Sequence, residues 1–170
     1  MFKNQPKIDI KPNDFDRKLI LIGWLIVVLN FIVVLSFFFE LPDKIATHFN
    51  LAGKADGYGS KNDIWAMPIL NLVMYFGMTL IATKMKPCNY NYPTKVTEKN
   101  APILYAMSIR MLVWINLAIA LIFLVISTQT ILLAKEINHI DLSWFILFLA
   151  AIITIAPFYY IFKMYKVPKS

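Results

Sequence analysis

Residues 19–39 read LILIGWLIVVLNFIVVLSFFF, a run of 21 residues with no Asp, Glu, Lys, Arg or His. A hydrocarbon layer about 30 Å thick is crossed by about 20 helical residues at ~1.5 Å each. Three further uncharged runs follow at 64–83, 111–134 and 142–162, and the four together hold 86 of the 170 residues. In lipid no water pairs with the backbone, so a crossing segment must be a helix or part of a closed barrel. Barrel strands alternate apolar and polar over about 10 residues, and these runs do not alternate. The sequence therefore predicts an all-α integral membrane four-helix bundle over 19–163. Its helices are expected at about 19–39, 64–83, 103–134 and 142–162, with a structured loop over 40–63 and polar tails at 1–18 and 164–170.

Composition leads to the same class. Hydrophobic residues make up 59% of the chain and charged residues 16%, against about 25% charged in a soluble domain. Such a chain lacks the polar surface to cover a water-soluble core, and it is too apolar for disorder. A single cysteine excludes an intrachain disulfide framework and the multi-cysteine zinc modules. The first run exceeds the apolar stretch of a cleaved signal and no A-x-A site follows it, so it is expected to stay as an anchor. Residues 1–18, with Pro6 and Pro12, are expected to be loosely ordered.

The net charge of +7 is unevenly divided. Segments 1–18, 84–110 and 163–170 hold 13 Lys and Arg against 4 acids, whereas 40–63 and 135–141 hold 4 against 6. The positive-inside rule then places both termini and the middle loop in the cytoplasm and 40–63 outside. The basic excess reads as a topology signal and a grip on anionic membrane lipid. It does not read as a nucleic-acid surface, since no groove-reading motif accompanies it. Trp65 and Trp144 open their runs at the outer side, while Trp24, Trp114, Tyr159 and Tyr160 lie toward the inner side, as amphipathic rings prefer.

No carboxylate, Lys or His lies within a run, which removes the usual support for proton- or cation-coupled transport. Arg110 sits at the inner mouth of the third run and is expected to snorkel to the headgroups. Asn30 and Asn71 are the intramembrane polar candidates. Both fall ~18 Å from the inner boundary at ~1.5 Å per residue, a match that permits a hydrogen bond between helices one and two. As bundle glue such a bond is worth about 0.6 kcal/mol and at most ~2; the alternative is a polar ligand path. Asn116, Gln129 and Thr154 are read in the same way. Pro68 sits in the first turns of its run, and Pro157 lies deep in the fourth and should kink it. Thr97 followed by Glu98 marks a helix start ahead of the membrane, with Pro102 near its beginning.

The informative water-exposed segment is 40–63, ELPDKIATHFNLAGKADGYGSKND. It holds three of the five glycines, Gly53, Gly57 and Gly59, and Asp56-Gly57 is a turn signal. Ile45, Thr47 and Phe49 alternate with Ala46, His48 and Asn50, which predicts a short strand. A small β-hairpin on the membrane follows, with Ile45 and Phe49 toward the bundle and bonds from His48 and Asp56 holding the loop. Ser60 and Asp63 have the spacing of a capping box for helix two. His48, Asp43 and Asp56 offer one nitrogen and two carboxylates, short of a zinc set, so no metal is expected, and no cofactor.

Catalytic signatures such as G-x-S-x-G, H-E-x-x-H, a P-loop or a dinucleotide fingerprint do not occur. His139 reads as a solvated loop residue and Cys88 as a plain reduced cysteine. No Ser–His or Cys–His pair shares a membrane side at helical spacing. A non-enzyme is expected.

Leu41-Pro42, Ile45, His48-Phe49-Asn50, Gly53, Asp56 and Gly59-Ser60-Lys61 resemble the pattern LP..I..HF...G..D..GSK. That pattern belongs to a bacterial membrane domain of unknown function found at the N-terminus of SdpI-type immunity proteins. Tyr92-Pro93, Thr97-Glu98, Asn100 and Tyr105 resemble the cytoplasmic loop of its short four-helix members. The resemblance spans roughly 20–130; Ala46 stands where the family commonly has Pro. It implies a multi-pass protein of the bacterial inner membrane and a part in immunity to, or sensing of, a secreted peptide toxin. The further membrane domain of the immunity proteins is not expected within this length.

Together these readings predict a non-catalytic membrane protein whose outer loop recognises a peptide, lipid or protein. His48, Asn50, Gly53, Asp56, Ser60 and Lys61 are the candidate binding residues. Two alternatives stand beside it: a membrane enzyme acting on lipid through His48 and Asp56 as acid and base, and a structural or assembly subunit. The oligomeric state is not set by the sequence.

Overall fold

The computed structural model describes residues 5–50, 55–137 and 140–168, with backbone only at Phe49. The chain forms α1 (Asp14–Phe38), a hairpin of β1 (Lys44–Phe49) and β2 (Ala55–Ser60), and a 3-10 turn (Lys61–Trp65) that runs into α2 (Ala66–Lys84). A short 3-10 turn (Pro87–Asn89), α3 (Ala101–Ala134) and α4 (Ser143–Tyr165) complete it. Among the described residues four helical segments, α2 counted with its leading turn, are long and apolar enough to cross a bilayer. The protein is a mostly helical, multi-pass membrane protein with, among the described residues, one small antiparallel sheet.

The bundle is built around α3, which packs against each of the other three helices. α1 and α2 also meet, but α4 lies essentially on α3 alone. α4 consequently leaves Phe148 58%, Ile155 62% and Phe158 68% exposed. In water a face of this size would drive aggregation; against acyl chains it is in its own solvent. The interior runs as layers along α3. Val34, Leu41, Ile45, Ile64 and Ile131 fill the hairpin end, and Val27, Tyr75 and Ala120 the middle. Tyr92, Leu104, Tyr105 and Met164 fill the end that carries the chain termini.

The termini end is more ordered than the polarity of residues 1–18 predicts. From Gln5 onward the segment docks: Gln5 donates to the Tyr90 carbonyl at 2.9 Å and Tyr105 donates to the Pro6 carbonyl at 2.8 Å. Ile8 and Ile10 pack on the tyrosine cluster. Tyr92 donates to the Pro87 carbonyl at 3.0 Å, and burial pushes its hydroxyl well above the ordinary tyrosine value, so it remains a donor. α1 begins ahead of its uncharged run because Asn13 and Asp16 form a capping box. Asp16 is also gripped by Arg110, at 2.8 Å from Nε and 3.3 Å from Nη2. Arg110 is thus an interhelical partner rather than a free snorkelling cation. Thr97 and Asn100 make reciprocal bonds of 2.8 and 3.4 Å just before α3, the start that Thr97 signals.

α3 ends in a Schellman motif. Glu136 donates to the Leu133 carbonyl at 3.0 Å and Ile137 to the Leu132 carbonyl at 2.9 Å, with Glu136 at φ 59°. That left-handed position favours glycine. Replacing Glu136→Gly is expected to stabilise the fold by about 0.5–1 kcal/mol, read as a raised midpoint of detergent unfolding. An unchanged or lowered midpoint contradicts this reading of the cap.

The hairpin pairs Lys44 with Ser60, Ile45 with Gly59, Ala46 with Tyr58 and His48 with Gly57, with register shifts on either side of His48. The bulge breaks the alternation expected of this strand, and the neighbours Ile45 and Ala46 are both buried. Asp56-Gly57, a turn signal in the sequence, lies inside β2 instead. Gly57 serves close approach: a Cβ there would sit 2.8 Å from the Cβ of His48.

Candidate functional site

α2 and α4 flank α3 without packing substantially on each other, which leaves a wedge between them at the hairpin end. The hairpin roofs that wedge. The result is a cavity of about 480 Å³. Ile45, Ala46, Thr47, His48 and Asn50 line it from the hairpin, Asp63, Ile64, Ala66 and Met67 from the start of α2. Ile126, Gln129 and Thr130 of α3 and Ser143, Ile146 and Leu147 of α4 close the remaining wall. The walls are chiefly apolar, and the polar groups gather near the roof. Its size falls within that of small-ligand sites, about 300–1,000 Å³. Its chiefly apolar lining suits an apolar occupant.

The rim is held by short polar contacts. His48 Nδ1 and the Asp56 carboxylate are paired across the hairpin. Lys61 Nζ lies 2.9 Å from the Asp43 carboxylate and holds that carboxyl below its usual value. The Lys61 amide also donates to the Asp43 carbonyl at 3.0 Å, so this lysine anchors the start of β1. Ser60 Oγ accepts from Asn62 N at 3.3 Å and caps the 3-10 turn, not α2 itself. Gly59 has no room for a side chain, since a Cβ would lie 2.4 Å from Asp63 Oδ2 and 2.9 Å from Thr47 Cγ2.

α4 is set in place from the same wall. Gln129 Oε1 accepts from Leu142 N at 2.9 Å, satisfying an otherwise open amide at the helix start. Asp141 accepts from Ser143 N at 2.9 Å, and hydrogen bonds from Ser143 keep its carboxyl low. Lys135 and Glu40 pair across the ends of α3 and α1.

Of the candidate binding residues, His48 and Asn50 line the cavity. Asp56 stands behind His48, while Ser60 and Lys61 lie off the wall with the structural contacts just given. Gly53 lies outside the described residues, as does His139. Asn30 and Asn71 do not bond to each other. Asn71 Nδ2 donates to the Ala120 carbonyl at 3.2 Å, and Asn116 Nδ2 to the Tyr75 carbonyl at 3.2 Å. Each amide of the α2–α3 pair thus reaches the carbonyl four residues beyond its counterpart, a two-point clamp between antiparallel helices. Asn30 is fully buried with neither amide atom paired among the described residues.

Chemically, the arrangement can bind. His48 has an orienting carboxylate, but the Ser143 hydroxyl on the same wall is engaged by Asp141. Among the described residues no three His, Cys, Asp or Glu side chains converge as a metal set. Sequence reading missed Met67, Ile126, Ser143, Ile146 and Leu147. Nothing local marks them, because the wall exists only once three helices and the hairpin meet.

A sequence family described as a domain of unknown function, DUF1648, matches residues 25–72. That stretch takes in most of α1, the hairpin and the opening turns of α2. No curated protein and no solved structure matches the chain.

Proposed function

We propose that this is a non-catalytic recognition protein of a bacterial inner membrane, with its termini in the cytoplasm and its hairpin outside. It takes the apolar part of an amphipathic ligand into the cavity beneath His48 and holds the polar part at the rim. The observation that carries this reading is the cavity itself, an apolar wedge roofed by a loop whose exposed polar residues surround the mouth. The match at 25–72 covers the roof and one wall, and the hairpin motif resembles that of SdpI-type immunity proteins. That resemblance is what favours a secreted amphipathic peptide as ligand, with immunity or sensing as the outcome.

The test compares cells carrying the wild-type chain, no chain, or Ala46→Phe, each challenged with secreted amphipathic peptides. Ala46 is buried in the roof and lines the cavity, so a phenyl ring there intrudes into it. Tolerance is expected with the wild type and is expected to vanish in the other two, at equal membrane abundance of wild type and variant. Sensitivity that ignores deletion of the gene rules out immunity, and full tolerance with Ala46→Phe removes the cavity from it.

The pairing of His48 with Asp56 at the mouth favours a second reading, a lipid-modifying enzyme using the pair as acid and base. Turnover of phospholipid by the purified protein, abolished in His48→Ala, selects that reading; no turnover leaves recognition.

A further inference from the structure

At the termini end, far from the hairpin, α3 and α4 enclose a second cleft of about 710 Å³. Arg110, Lys163 and Lys166 line it together with the Tyr160 ring, while Ile103 and Met107 supply apolar wall. The carboxylate in contact here, Asp16, is held by Arg110 Nε and Nη2 and offsets one of three positive charges. The two lysines are fixed in a particular way. Lys163 Nζ lies 5.0 Å from the Tyr159 ring centroid and Lys166 Nζ 4.3 Å from that of Phe162. Those rings are 53% and 59% exposed on the outer surface of α4, where the helix meets acyl chains. The ammonium groups are therefore drawn to the level where rings end and headgroups begin, as long cationic side chains at helix ends do.

We infer that this cleft is a binding site for one anionic phospholipid of the adjoining leaflet. Its phosphate sits among Arg110, Lys163 and Lys166, and its first methylenes lie along Ile103 and Met107. A basic pocket between helix ends is the expected form of such a site. A soluble phosphate compound would share the charge chemistry but would gain nothing from the apolar wall or from cations seated over lipid-facing rings.

Delipidated full-length protein in detergent, titrated with phosphatidylglycerol or phosphatidylcholine of the same chains and read by native mass spectrometry, tests this. Sodium phosphate forms a third arm, read by thermal melting. Lys163 and Lys166 are exposed, so Lys163→Gln with Lys166→Gln leaves the fold intact. Lys7→Gln with Lys84→Gln removes the same charge from the same end, outside the cleft. One phosphatidylglycerol is expected to be retained in preference to phosphatidylcholine. The cleft variant should bind it about 30-fold more weakly, the effect of two ammonium groups near an anionic headgroup, while the control variant binds as the wild type. Equal weakening in both variants, equal retention of phosphatidylcholine, or equal protection by sodium phosphate alone overturns the inference.

Discussion

Arg110→Met is expected to cost about 3 kcal/mol of unfolding free energy, measured by reversible denaturation in detergent micelles. Asp16 is 4% exposed and Arg110 holds it through two hydrogen bonds. Removing one partner of a buried ion pair leaves the other charge desolvated, at about 3–5 kcal/mol. The lower end applies because the Arg110 side chain is 36% exposed. The same substitution made together with Asp16→Asn should recover most of the loss. Asparagine keeps an oxygen for the Asn13 amide, which Asp16 Oδ2 accepts at 3.1 Å, while no charge remains to strand. A loss below about 1 kcal/mol for the single variant, the size of an exposed pair, shows that the pair does not join α1 to α3 as described.

The second large effect is at Gly23. A Cβ there would lie 2.0 Å from Tyr75 Oη and 2.3 Å from Cζ. The ring cannot step aside cheaply. Its hydroxyl donates to the Ile20 carbonyl at 2.8 Å, and it packs edge-on against Trp24 with centroids 5.1 Å apart. Gly23→Ala must therefore either part α1 from α2 or expel the ring and its bond. Overpacking costs about 1–3 kcal/mol and the bond about 0.5–1.5, against a helix-propensity gain of up to about 1, so a net loss of about 1–3 kcal/mol is expected in the same unfolding assay. Gly77→Ala is the internal control. Nothing lies within 4 Å of a Cβ there, and the better helix propensity should make it neutral or stabilising by up to about 1 kcal/mol. Equal effects at the two glycines contradict the close α1–α2 approach.

These two sites mark the boundary of what the sequence makes legible. The four spans are legible because lipid demands length and apolarity and nothing subtler. The hairpin is legible in kind, through alternation and glycine, but not in detail: Asp56-Gly57 serves close packing against His48 and not the turn. Asn30 and Asn71 show why depth alone is a weak guide. Counting along a helix gives the level of a residue but not the direction it faces, and Asn71 faces the carbonyl of Ala120 on α3. The central place of α3, and hence the wedge between α2 and α4, depends on how faces combine over the whole chain. Helices that are apolar all round carry no stripe to show which side turns inward. His48 and Asn50 could be named from the loop; the walls beneath them could not.

The most direct measurement is cysteine labelling from outside intact cells. With Cys88→Ser as background, Tyr58→Cys in the hairpin and Lys7→Cys in the N-terminal segment are each exposed positions, and a membrane-impermeant maleimide reads their side. Labelling of the Tyr58→Cys protein in intact cells, and of the Lys7→Cys protein only after permeabilisation, is the predicted result. Equal labelling of both in intact cells would mean that the hairpin and the N-terminal segment share one side of the membrane, and the account would fail.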